Sequence, residues 1–68
     1  MYSCYDLQLN QYLESGRNAK TLKDCIEAVF NYWINGCDLD KADKESCLRD
    51  KKGTLESVGF RFDEHGGY

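Results

Sequence analysis

The sequence predicts an α+β domain, and three observations carry that expectation. Apolar side chains recur at helical spacing over residues 21–35, the mark of an amphipathic helix. Apolar and polar residues alternate at Tyr5, Leu7 and Leu9 and again at Phe60–Asp63, the two-residue period of a strand with one buried face. The chain has 68 residues, enough for one core. At that size a helix stripe and a sheet face bury each other in two layers. The expected order is an N-terminal β-hairpin, a long amphipathic helix, a polar second helix and a short C-terminal strand. They form one small domain over 1–68, with residues 64–68 as a flexible tail. The alternative is an all-α domain of three or four helices.

Residues 2–15 admit two readings. As a hairpin, Tyr5, Leu7 and Leu9 face one way, Asn10 and Gln11 sit near the turn, and Tyr12 to Ser15 return as the second strand. As a helix, Ser3 and Asp6 cap the start, Gly16 ends it, and Tyr5, Leu9, Tyr12 and Leu13 form the stripe. Leu7 favours the hairpin, because it lies in register with Tyr5 and Leu9 there and would face water in the helix. Residues 16–20 read as a loop.

The helix over 21–35 is the organiser of the core. Its stripe is Leu22, Cys25, Ile26, Val29, Phe30 and Trp33. Thr21 is placed to cap it, with Asp24 three residues on, and Gly36 stands where a left-handed residue ends many helices. Residues 37–53 carry the densest charge. Asp38 or Asp40 can cap a second helix whose early Asp43 and Glu45 and late Arg49, Lys51 and Lys52 match the helix dipole. Its apolar face is thin, Cys47, Leu48 and Ala42, and Gly53 should end or kink it. Thr54 begins another turn carrying Leu55 and Val58, Gly59 stops it, and Phe60 and Phe62 share one face of the last strand.

Charge and composition exclude several functions. Nine basic residues stand against twelve acidic ones, a net charge of −3. A nucleic-acid binder needs the opposite balance to release counterions from phosphates. No apolar run approaches the roughly 18 residues of a membrane span. Met1–Asp6 lacks the basic start and apolar stretch of a secretory signal, so the expected compartment is the cytoplasm, with its thiols reduced.

No catalytic or metal set emerges. Cys4, Cys25, Cys37 and Cys47 contain no close pair of the zinc type. Cys25 belongs to the helix stripe, and Cys37, after Gly36, is the thiol expected to be most exposed. A calcium loop starting at Asp38 would need an oxygen ligand, glycine and glutamate where the chain has Ala42, Asp43 and Arg49. No glycine pattern of a phosphate loop occurs. His65, the lone histidine, lies in the expected tail. The expectation is therefore a non-enzymatic chain without a cofactor.

What remains is contact. Trp33 falls on the core stripe, whereas Tyr32 falls on the adjacent face, where an exposed aromatic, with Tyr12 or Tyr68 beside it, can anchor a protein partner. The candidate interface is Tyr32 with the acidic Asp38, Asp40, Asp43 and Glu45. In style, a very short acidic chain without a catalytic set resembles the accessory proteins of bacterial viruses and mobile elements. Many of those inhibit a host protein such as a defence nuclease or transcription factor. The resemblance implies an inhibitor or regulator that occupies a surface. The alternative is a homodimeric or larger structural subunit whose aromatics complete a shared core.

Overall fold

The computed structural model describes residues 1–66. Gly67 and Tyr68 lie outside the described residues, and with them the proposed Tyr68 contact. The elements are β1 (Tyr2–Asp6), β2 (Gln11–Tyr12), α1 (Leu22–Asn35), α2 (Lys41–Arg49), α3 (Lys51–Ser57) and β3 (Phe60–Glu64). The sheet runs β2-β1-β3 and is antiparallel throughout. This is the predicted α+β arrangement of N-terminal hairpin, long helix and C-terminal strand, and it displaces the all-α alternative.

The register separates two sheet faces. Tyr2, Cys4 and Asp6 stand opposite Glu64, Phe62 and Phe60, while Ser3 and Tyr5 stand opposite Asp63 and Arg61. The first set faces the helices. Cys4 joins Leu13, Cys25, Val29, Phe30 and Leu55 in the buried core, with Phe60 and Phe62 packed against it. Burying a side chain such as Phe30, Val29 or Leu55 contributes about 1.5–3 kcal/mol each, and α1 supplies half of that cluster: Cys25, Val29 and Phe30.

Helix α1 begins as expected, with the Thr21 hydroxyl accepting from Asp24 N at 3.1 Å. Its end differs. Gly36 has φ −92° and ψ 0°, a right-handed conformation, and its N–H donates to Trp33 O at 3.1 Å. Trp33 is half-buried at the margin of the core rather than within it, its ring 5.9 Å from that of Phe30.

The hairpin is shorter than the alternation suggested. Asp6 Oδ1 accepts from Gln8 N at 2.8 Å and Leu9 N at 3.2 Å, and Asn10 takes φ 55°. A carboxylate bonding to backbone two and three residues on makes a turn. Leu7 and Leu9 are lifted out of the strand into that turn, 49% and 58% exposed. The return strand is confined to Gln11–Tyr12 instead of continuing to Ser15, because Gly16, at φ 72°, brings the chain against α1. Pairing with β1 resumes where Tyr2 and Ala19 exchange backbone hydrogen bonds of 2.8 and 2.9 Å.

The charged segment is two helices. Asp40 Oδ1 caps α2 by accepting from Asp43 N at 2.8 Å. Asp50 then leaves helical geometry and caps α3 by accepting from Gly53 N at 3.0 Å. The break therefore falls at Asp50, and Gly53 lies inside α3, where a Cβ would collide with the Asp50 carboxylate. Helix α2 buries none of its residues, whereas α3 drives Leu55 fully into the core.

The expected tail begins too early. Glu64 ends β3, and His65 exchanges backbone hydrogen bonds of 2.8 Å with Met1 in both directions. Cross-strand pairing to the chain start holds both residues.

Candidate functional site

Tyr32 lies in the last turn of α1, beside Trp33 and Ile34, which pack against the core. Its neighbours on the stripe, Val29 and Phe30, are buried, while Tyr32 itself is 54% exposed. Two grooves meet at its ring. One, of about 540 Å³, is walled by Leu9, Tyr12, Leu13 and Arg17. The other, of about 340 Å³, is walled by Asp6, Trp33, Gly36, Cys37 and Phe60. Tyr32 is thus a ridge between two concave surfaces. Leu9 is more exposed still, and the exposed Leu7 is held by its N–H, which donates to Gly59 O at 3.0 Å. Tyr12 and Tyr32, the pair anticipated from sequence, line the same groove.

The four carboxylates stand apart from that ridge. Asp38, Asp40, Asp43 and Glu45 are all exposed, and none lines either groove among the described residues. Asp40 has a structural task as the α2 cap. Asp38 and Asp40 precede α2, whereas Asp43 and Glu45 lie within its first turns, two residues apart and therefore on different sides of the helix.

The sheet face turned away from the core carries a polar and aromatic network that residue spacing did not show. Tyr5 and Tyr12 meet edge to face with centroids 5.0 Å apart. The Arg61 guanidinium lies 4.8 Å above the Tyr5 ring and grips Asp63 with bonds of 3.0 Å from Nε and Nη2. Tyr12 OH donates to Asp63 Oδ2 at 2.8 Å. The Arg61 guanidinium holds the Asp63 carboxyl below its ordinary range, and Tyr12 adds to that effect while partial burial opposes it. Nearby, Ser3 Oγ lies 2.7 Å from His65 Nε2 and accepts from Asn18 N at 3.0 Å.

A serine beside a histidine resembles a nucleophile with its base. Ser3 has no exposed surface, however, and Asn18 N already occupies an acceptor site on its oxygen. The pair ties the chain start to its end and to the 13–20 loop. The thiols divide in the same manner. All four are free; Cys4 and Cys25 are fully buried, and Cys37 and Cys47 are half-buried. Burial pushes the Cys4 thiol up to about 12 and raises that of Cys25, which suppresses the reactive thiolate. Cys37, expected to be the most exposed thiol, shares its intermediate exposure with Cys47. Among the described residues, no three His, Cys, Asp or Glu side chains are grouped to hold a metal ion, and no helix is long and apolar enough to cross a membrane.

No family model, curated protein or solved structure matches the chain.

Proposed function

We propose that this protein is a binding module that acts by occupying a surface of another protein, with Tyr32 as its anchor. The observation that carries the reading is the exposed Tyr32 ring standing between two grooves, with Leu9 beside it. A tyrosine offers large apolar area with few rotors to immobilise, and binding energy concentrates on such residues. The grooves on either side receive the partner's side chains. The exposed carboxylates of Asp38, Asp40, Asp43 and Glu45, within a chain of net charge −3, favour a partner that carries basic residues. An inhibitor or regulator needs no chemistry beyond this contact.

The test is site-specific photo-crosslinking in cells of the source organism. A benzoylphenylalanine at position 32 should trap one larger protein reproducibly, and the same probe at Glu56 should not. Tyr32→Ala should weaken that partner by roughly thirtyfold or more, the loss expected at an interface anchor. Equal trapping from both positions, or unchanged affinity of Tyr32→Ala, overturns the assignment.

A further inference from the structure

β3 is an edge strand, and its open side is self-complementary. The backbone hydrogen bonds establish which groups are open. Met1 pairs with His65 and Leu7 with Gly59 through backbone hydrogen bonds of 2.8–3.0 Å. Hydrogen-bonded pairs alternate along an antiparallel ladder, so in the same register Ser3–Asp63 and Tyr5–Arg61 are the bonded pairs between. The N–H and C=O groups of Phe60, Phe62 and Glu64 therefore point away from β1, along the outer edge of the sheet. No strand covers that edge among the described residues. Exposed strand edges of this kind recruit further strands.

We propose that the occupant is a second copy of this chain, paired antiparallel β3 to β3 about a two-fold axis through Phe62. In that register Phe62 faces Phe62 of the second copy, and Phe60 faces Glu64. Every open backbone group of the three residues then finds a partner. The same register sets Arg61 opposite Asp63, twice, at the non-hydrogen-bonded positions where cross-strand side chains lie closest. The neighbouring registers that also join open groups set Arg61 against Arg61 or Asp63 against Asp63. For a second copy, charge thus selects one register of three, and the strand carries both members of the complementary pair, Arg61 and Asp63. Arg61 is available for it, since its side chain is 54% exposed despite the bond to Asp63 within the chain. Phe60 and Phe62, half-buried at the edge, gain cover from their counterparts. The result is a six-stranded sheet with closed two-fold symmetry. The groove beside Leu9 and Tyr12 lies at the opposite, β2 edge, so the pairing leaves it open in both copies.

Sedimentation equilibrium over a concentration series tests this on the full chain. The wild type should approach twice the chain mass. R61D and D63R should each fall to the monomer mass at concentrations where the wild type is dimeric, with Kd raised at least about tenfold. Their equimolar mixture should restore the dimer, because the all-acidic edge of one then faces the all-basic edge of the other. A contribution of these residues within a single chain predicts no such rescue. Amide exchange of the wild type gives a readout independent of the variants' folding: Phe62 N–H should gain protection as concentration rises. A wild type that stays monomeric, single variants that stay dimeric, a folded mixture without rescue, or Phe62 exchange independent of concentration each overturns the proposal.

Discussion

Replacing Gly16 by alanine should remove a large part of the stability of the domain. Gly16 adopts φ 72°, and a Cβ built there would lie 2.9 Å from Cys25 O and 3.1 Å from Val29 Cγ2. The left-handed conformation costs an ordinary residue about 1–2 kcal/mol. Forcing a methyl group against a helix backbone and a fully buried valine costs about 1–3 kcal/mol more. Alanine also restricts the unfolded chain, which returns roughly 0.4–1 kcal/mol. The net loss is about 2–4 kcal/mol, against roughly 3–10 kcal/mol for a domain of this length. Urea unfolding followed by the fluorescence of Trp33, the single tryptophan, measures it, and Tm should fall by about 10–30 °C. Gly36→Ala is the control. Its φ of −92° suits alanine, and the new Cβ would meet Trp33 O at an ordinary 3.6 Å. Stability should rise by about 0.4–1 kcal/mol. If Gly16→Ala costs less than about 0.5 kcal/mol, or Gly36→Ala costs more than Gly16→Ala, the account of how the 13–20 loop packs on α1 is wrong.

Further outcomes follow from the same structure. Leu7→Ser and Leu9→Ser should each change stability by no more than about 0.5 kcal/mol, whereas Leu13→Ala should cost about 2–5 kcal/mol; the urea midpoints of the three variants measure this contrast between exposed turn and buried core. A thiol reagent should label Cys37 and Cys47 in the native protein, and Cys4 and Cys25 only on unfolding, as peptide mapping after graded urea would show. Alkaline pH should destabilise the fold through Cys4, whose thiol is pushed from an ordinary 9.0 to about 12. Because the folded value is the higher one, the neutral thiol contributes its full stability below about pH 9 and loses it as pH rises toward about 12. Urea midpoints measured across that window should fall, and Cys4→Ala should flatten the dependence.

Local pattern carried the elements whose contacts are local. The stripe from Leu22 to Trp33, with Thr21 before it, specified α1, and the alternation at Phe60–Asp63 specified β3. The pattern misled where one side chain rewired the backbone. Leu7 and Leu9 alternate with Tyr5 as a strand would, yet the Asp6 carboxylate captures the N–H groups of Gln8 and Leu9 and turns the chain. Asp50 does the same inside the charged segment, where its capping bond to Gly53 N splits one expected helix into two. His65 was beyond local reading altogether, since its partners Met1 and Ser3 lie at the other end of the chain. Of the candidate site, the exposure of Tyr32 was legible from its offset against the stripe. The grooves around it were not, because the walls of the first come from the turn and loop that follow β1, and those of the second join Asp6 and Phe60 of the sheet to the end of α1.

The central claim is that Tyr32 anchors a partner without supporting the fold. The most direct measurement pairs the affinity of Tyr32→Ala for the protein trapped at position 32 with the urea midpoint of the same variant. The account predicts an affinity loss of roughly thirtyfold or more, with stability held within about 0.5 kcal/mol. Unchanged affinity, or a stability loss of several kcal/mol like that of a core residue, contradicts it.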